Sequence, residues 1–212
     1  MLMSLTVHEY WHARSALWLG DDTAYMQGRL TLNPVAHIDL FGTILLPILF
    51  LWSNSNFFFG WAKPVPVNPV RFVRLFNGRR VTMSTGMMIT AAAGPLSNLA
   101  FGFLAFGAFR LLVAAGVHSE VTLTMLQYLV GINYILAVFN LVPLPPLDGS
   151  KVLAGFLPRR FQGWFDYLEA NTFVSFILLI ALLRTGVLGH VMGPVRTFLF
   201  TATNAFYDLF LP

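Results

Sequence analysis

The sequence contains no cysteine and very few charged residues. The lack of cysteine excludes disulfide bonds and thiolate metal sites, so a metal ion could be held only by histidine and carboxylate groups. Charged residues make up 10% of the chain, whereas soluble domains carry about 25%. Hydrophobic residues make up 57%, which excludes an ordinary soluble domain and predicts an integral membrane protein in contact with the lipid bilayer.

Among the few charged residues, basic ones outnumber acidic ones by 13 to 9, which gives a formal net charge of +4 over 212 residues. In a membrane protein such an excess normally reports orientation across the bilayer, and we expect no binding of nucleic acid. The basic residues cluster within residues 60–83 and again at Lys151, Arg159 and Arg160. If both clusters are cytoplasmic, the chain is a multi-pass protein of the cell membrane whose two intervening apolar segments run out and back.

Long apolar stretches alternate with shorter polar ones along the chain. A membrane helix needs about 20 mainly apolar residues, and several stretches approach or exceed that length. We therefore predict an all-α polytopic helix bundle that forms a single domain over residues 1–212. A first helix is predicted at residues 1–19, and further apolar helices are predicted at residues 84–115, 121–142, about 170–189 and about 191–211.

Two segments depart from this pattern. Alternating apolar and polar residues around 29–32 predict a short strand or hairpin at the membrane surface. Residues 40–59 are apolar but interrupted by Gly42, Pro47 and a Ser-Asn repeat, so they form either a full span or a re-entrant segment. We favour the re-entrant form, because it leaves the first helix ending on the cytoplasmic side.

No signal peptide is recognisable at the start of the sequence. Only seven residues precede His8, which implies that the first helix enters the membrane part way or begins upstream.

The motif HEYWH at residues 8–12 is the densest group of functional side chains. Positions i and i+4 of a helix share a face, so His8 and His12 can direct their imidazoles at one metal ion. Glu9 lies beside them and can act as a general base on a metal-bound water. The histidines could instead be packing or interfacial residues, but a glutamate beside them in an apolar segment is costly unless it functions. The pattern therefore predicts a catalytic metal site within the membrane.

Two histidines leave a catalytic zinc one protein ligand short, and the best candidate for the third is Asp148. It follows the segment NLVPLPPL at residues 140–147, where three prolines break the helix at membrane depth. Irregular backbone survives there only when it is buried in protein or lines a wet cavity, so an acid in it is a functional candidate. Asp148 could instead cap the following helix, and one residue could do both.

Three motifs in this order resemble the signatures of the site-2 protease family, which consists of intramembrane zinc metalloproteases. They are HEYWH at residues 8–12, AGPLSN at 93–98 and NLVPLPPLDG at 140–149. Two further segments resemble those of a compact bacterial and archaeal branch, namely NPVAHID at 33–39 and GWAKPVP at 60–66. The resemblance covers roughly residues 4–160 and leaves the C-terminal helices at about 170–211 unspecific.

This resemblance implies a ligand set and a reaction. One Zn2+ per chain would be held by His8, His12 and Asp148, with Glu9 as the catalytic base. The substrate would be a membrane protein cut in or next to a transmembrane segment, with the active site toward the cytoplasmic side. The oligomeric state is unknown. The alternative is a catalytically silent metal- or partner-binding protein, or a small ion transporter. Glu9 argues against silence, and the lack of paired broken helices in two similar halves argues against transport.

Three more residues are candidates for support of the substrate or the oxyanion. Asn98 shares a helical face with Gly94 and Gly102, where its amide could bond the substrate or oxyanion, or could join two helices. Asn140 could support the site or satisfy the broken backbone. His37 could lie behind the zinc ligands, contact the substrate, or be a hydrogen-bonded residue of the predicted hairpin.

Overall fold

The computed structural model describes residues 1–53, 60–73 and 78–210, with residues 159–162 described by their backbone alone. This part of the chain is helical and contains no strand. Its α-helices are α1 (Leu2–Trp18), α2 (Thr23–Met26), α3 (Leu46–Trp52), α4 (Met83–Ala114), α5 (Glu120–Asn140), α6 (Asp148–Phe156), α7 (Arg159–Ala170), α8 (Thr172–Arg184) and α9 (Val187–Asp208). Two 3-10 turns, Pro34–His37 and Pro69–Arg71, and a π-helix, Leu40–Leu45, lie between them.

Two helices of the described residues are long and apolar enough to cross a membrane, α4 with 32 residues and α5 with 21. The pair α7 and α8 passes the same test from Gly163 to Arg184, but it bends by 96° at Asn171, as a broken span or a re-entrant loop does. The prediction of an all-α membrane protein is confirmed. The helix predicted to end near residue 189 ends at Arg184 instead, because Gly186 adopts a left-handed φ of 73° before α9 begins.

Contacts within the chain divide it into two compact units, Met1–Gly94 and Pro95–Pro212, and α4 runs through both. The first unit is built around a buried cluster of Ala16, Leu19 and Phe72. The second has two buried clusters, which are Ala105 with Val130 and Tyr134, and Leu147 with Leu179 and Leu188. The single domain over residues 1–212 stays a prediction.

The hairpin predicted around residues 29–32 is wrong. The chain bends through this stretch and then enters the 3-10 turn that starts at Pro34. The backbone groups of this stretch have other partners: the N–H of Arg29 donates to the carbonyl oxygen of Ala24 at 2.8 Å, and the carbonyl oxygen of Thr31 accepts a hydrogen bond from His37 Nε2 at 2.8 Å. The alternation of apolar residues predicts a ladder because it does not reveal these other partners.

The re-entrant segment predicted at residues 40–59 is helical over Leu40–Trp52. Asp39 starts this helix by accepting hydrogen bonds from the backbone N–H groups of Phe41 and Gly42. At 1.5 Å per residue the helix is about 20 Å long, which is shorter than the hydrocarbon core of about 30 Å. This length favours the re-entrant form over a full span. Residues 54–59 lie outside the described residues, so the return of the chain stays a prediction.

Candidate metal centre

Helix α1 places the imidazoles of His8 and His12 side by side on its buried face. The two Nε2 atoms lie 2.9 Å apart, and the side chains are 5% and 8% exposed. Two imidazole nitrogens bound to one tetrahedral zinc ion at 2.0–2.1 Å would lie roughly 3.3 Å apart. The observed separation is a few tenths of an ångström shorter, so a small rotation of the rings would admit the ion. The pair therefore fits a zinc site.

The ring of His12 is oriented by helix α4. Its Nδ1 lies 2.7 Å from the carbonyl oxygen of Thr90, and since a carbonyl oxygen only accepts, Nδ1 carries the proton and donates it. In the neutral ring the lone pair then belongs to Nε2, the nitrogen that faces His8. A hydrogen bond from the far ring nitrogen is the usual support of a metal-binding histidine. Sequence analysis missed Thr90 because its contribution is a backbone oxygen 78 residues away.

Gly94 on α4 provides the space that the histidine pair occupies. A Cβ atom built at this position would lie 2.4 Å from Nε2 of His12 and 2.7 Å from Cε1 of His8. Real Cβ atoms do not approach other heavy atoms so closely, so only glycine fits without displacing the rings. The motif AGPLSN was noticed in the sequence, but Gly94 was considered only as a small neighbour of Asn98. Its contact with the metal-binding face follows from the tertiary structure alone.

Glu9 lies next to the histidine pair and is half-buried. Its Oε2 accepts a hydrogen bond of 2.9 Å from the backbone N–H of Val65. This bond fixes one carboxylate oxygen and leaves Oε1 to exchange a proton with a water or a substrate group. The sequence does not single out Val65, although this residue lies in the motif GWAKPVP at residues 60–66.

His37 is fully buried in the first unit. Its Nε2 donates to Thr31, as described above, and its carbonyl oxygen accepts the N–H of Lys63 at 2.9 Å. Of the roles considered from the sequence, these contacts match that of a hydrogen-bonded structural residue, although the hairpin expected around it is absent. A role of His37 toward the substrate stays a prediction.

Asp148 is the first residue of α6 in the second unit and is half-buried. A carboxylate in the first turn of a helix is stabilised by the helix dipole, so the position suits an ionised acid. The next residue, Gly149, lies against the end of α5: a Cβ there would approach the carbonyl oxygens of Leu141 and Val142 to 2.2 and 2.5 Å. This close approach explains why glycine follows the aspartate, since it lets the proline-rich segment fold back tightly before α6 begins.

The two asparagine candidates also lie in the second unit. Asn98 is fully buried, and its Nδ2 donates to Oδ1 of Asn133 on α5 at 2.8 Å. This contact is the one expected if Asn98 joins two helices. Asn140 donates from Nδ2 to the carbonyl oxygen of Leu136 at 2.9 Å, which satisfies the backbone one turn before α5 ends. Support of the substrate or the oxyanion by Asn98 and Asn140 stays a prediction.

Comparison with known proteins identifies the family. The sequence profile of peptidase family M50 matches residues 108–183. The chain is 36% identical over 200 residues to YwhC of Bacillus subtilis (strain 168), named as a zinc metalloprotease, with 92% of this chain and 83% of that protein covered. It is 30% identical over 194 residues to Rip2 of Mycobacterium tuberculosis (strain ATCC 25618 / H37Rv), also named as a zinc metalloprotease, with 92% and 69% covered. No solved structure matches the chain significantly.

These matches agree with the chemistry of α1, where two histidines suited to zinc lie beside a glutamate suited to proton transfer. They do not favour a silent binding protein or an ion transporter. The family implies zinc and a protein substrate in the membrane. The chain belongs to peptidase family M50, the site-2 protease family of intramembrane zinc metalloproteases.

Proposed function

We propose that this protein hydrolyses a peptide bond in or next to a transmembrane segment of a membrane protein, with one zinc ion held by His8, His12 and Asp148. The observation that carries the proposal is the 2.9 Å separation of the two Nε2 atoms on one face of α1. Asp148 supplies a carboxylate, and two histidines with one carboxylate form a ligand set of catalytic zinc peptidases. With three protein ligands, a fourth position is left for water or substrate.

Zinc, when bound, would polarise the scissile carbonyl and bring the pKa of a water molecule toward about 7. The residues of the chain then have separate tasks. Glu9 takes the proton of the attacking water on Oε1 and returns it to the nitrogen of the leaving amine, while Oε2 stays bonded to the N–H of Val65. His12 keeps its proton on Nδ1, held by Thr90, so its Nε2 remains a ligand throughout.

The membrane setting adds two requirements. Water must reach the site, and the proline-broken segment at residues 141–147, which is irregular where a helix would exclude water, is the proposed route. The substrate must unwind locally, because a peptide bond in a helix has its carbonyl engaged. We place the site toward the cytoplasmic face, since the basic clusters mark that side under the positive-inside rule.

The test uses the full chain in lipid nanodiscs with a single-span reporter protein that carries a fluorescent domain on one side of its transmembrane segment. Wild type should contain about one zinc ion per chain and release the fluorescent domain. Glu9→Gln should keep the zinc and release nothing, whereas Asp148→Ala should lose most of its zinc. Cleavage by Glu9→Gln would overturn the assignment of the base, and full zinc content in Asp148→Ala would overturn that of the ligand.

A further inference from the structure

The hydrogen bond that fixes Glu9 comes from a short segment, Lys63 to Val65, that has no secondary structure of its own. The proline between them has no N–H group, so the backbone donors of the segment are those of Lys63 and Val65. A segment without a helix or sheet ladder keeps its direction only through other partners. The groups that hold it therefore decide where the N–H of Val65 points.

Arg29 is the main partner of this segment. Its guanidinium group is buried, with the residue 8% exposed, and Nη2 donates to the carbonyl oxygens of Lys63 at 2.6 Å and of Pro64 at 3.4 Å. In addition, the carbonyl oxygen of His37 accepts the N–H of Lys63 at 2.9 Å. Both the N–H of Lys63 and the carbonyl oxygens of Lys63 and Pro64 are therefore hydrogen-bonded next to the N–H that binds Glu9.

One peptide unit connects Arg29 to Glu9. The carbonyl of Pro64 and the N–H of Val65 belong to the same planar peptide, so turning one turns the other. Arg29 contacts the oxygen of this peptide, and Glu9 accepts its hydrogen. A cation on the carbonyl side also polarises the peptide and strengthens its N–H as a donor.

We infer that Arg29 is a positioning residue of the protease: through the planar peptide between Pro64 and Val65 it aims the N–H that holds the Glu9 carboxylate. The inference rests on the proposed function, in which Glu9 is the base. Arg29, which the sequence predicts in a surface hairpin, is thus a buried residue that acts on catalysis through the position of Glu9. It also predicts that Arg29 affects turnover and leaves zinc binding to His8 and His12 unchanged.

The test measures three quantities on the full chain in nanodiscs: zinc content, kcat and KM for the same single-span reporter, and hydrogen exchange of a peptide fragment over residues 63–66. Because Pro64 and Pro66 have no N–H and Lys63 becomes the free amino terminus of the fragment, the fragment reports the amide of Val65 alone. In Arg29→Met we expect exchange there to rise roughly tenfold and kcat to fall on the order of 10²-fold, with zinc content and KM unchanged. Arg29→Lys keeps the positive charge and can still donate a hydrogen bond to one carbonyl oxygen, so it should restore part of the kcat.

Two variants keep the test decisive. Arg71→Met is the matched control, because Arg71 pairs with the exposed carboxylate of Asp22 and should leave all three readouts at wild-type values. Val65→Pro deletes the N–H itself with Arg29 intact, and it should reproduce the loss of kcat even if Arg29→Met fails to fold.

Wild-type kcat in either Arg29→Met or Val65→Pro would overturn the inference while leaving the protease assignment in place. Cleavage by Glu9→Gln would instead remove the proposed function on which the inference rests. A fall in zinc content of Arg29→Met equal to its fall in kcat would show that the arginine acts on the fold of the metal site, and this too would overturn the inference.

Discussion

The Nε2 atoms of His8 and His12 face each other at 2.9 Å, and the ring of His12 is held from behind by the carbonyl oxygen of Thr90. Both facts follow from where α1 and α4 touch. Helix α4 comes close enough only because Gly94 has no side chain. The proposed metal-binding face is thus shaped by two helices, since α1 carries the two histidines and α4 orients the ring of His12.

Gly94→Ala should disable zinc binding. Its Cβ would collide with His12 at 2.4 Å, so one ring must move away from its partner, and we expect zinc affinity to fall at least tenfold. The matched control is Gly131→Ala on α5, where a Cβ would have no heavy atom within 4 Å. Zinc titration measures the affinity, and circular dichroism checks that each variant is folded. Normal zinc affinity in a folded Gly94→Ala protein would contradict the geometry described for α4.

Zinc should also stabilise the fold through the same ligands. A ligand at about 100 times its Kd contributes about 2.7 kcal/mol, which for a chain of this size corresponds to a rise in Tm of roughly 5–10 °C. Metal-free wild type and Glu9→Gln should show this rise when zinc is added, whereas His12→Ala should show little or none. Thermal unfolding in detergent gives the values. An equal rise in His12→Ala would place the zinc elsewhere.

The buried pair of Asn98 and Asn133 gives a prediction that separates two roles for Asn98. If the amide joins α4 to α5, Asn98→Ala should lower the free energy of unfolding by about 1 kcal/mol, and the double variant with Asn133→Ala should lose less than the sum. Gln127→Ala, at an exposed position of α5, is the control. The catalytic rate of each zinc-loaded variant should equal that of wild type. A loss of about 10²-fold in kcat without a loss of stability would instead assign Asn98 to the oxyanion.

The orientation of α4 can be tested cleanly because the chain contains no cysteine. Ser84 near the start of α4 and His118 beyond its end are both exposed. If the basic cluster before α4 is cytoplasmic, a membrane-impermeant maleimide added to intact cells should label His118→Cys at once. Ser84→Cys should be labelled only after the cells are permeabilised. The reverse order would place the basic cluster outside and overturn the proposed cytoplasmic side.

The parts of the structure that sequence analysis predicted well depend on local pattern. The i to i+4 spacing of His8 and His12 put them on one face of α1, and continuous apolar runs identified α4 and α5. The parts that it missed depend on distant backbone. Neither the contact of Gly94 with the histidines nor the bond from Val65 to Glu9 leaves a periodic signal.

The wrong hairpin has the same physical origin. The alternation around residues 29–32 is real, but the hydrogen bonds of Arg29 to Lys63 and of His37 to Thr31 override the local preference for extended pairing. The break after Arg184 was missed for a different reason, since the apolar run continues past it and only the left-handed φ of Gly186 ends the helix. Apolar composition therefore predicts which segments prefer lipid, whereas a single residue such as Gly186 determines where a helix ends.

The central claim is that His8, His12 and Asp148 hold one zinc ion, and X-ray absorption spectroscopy at the zinc edge tests it most directly. Glu9→Gln protein should be used, because it is expected to keep the zinc ligands and to be inactive. The account predicts two imidazole nitrogens at about 2.0–2.1 Å with their outer-ring scattering, and a zinc-edge signal that falls with the lost metal when Asp148→Ala is added. A spectrum without imidazole, or one unchanged by His8→Ala, would contradict the account.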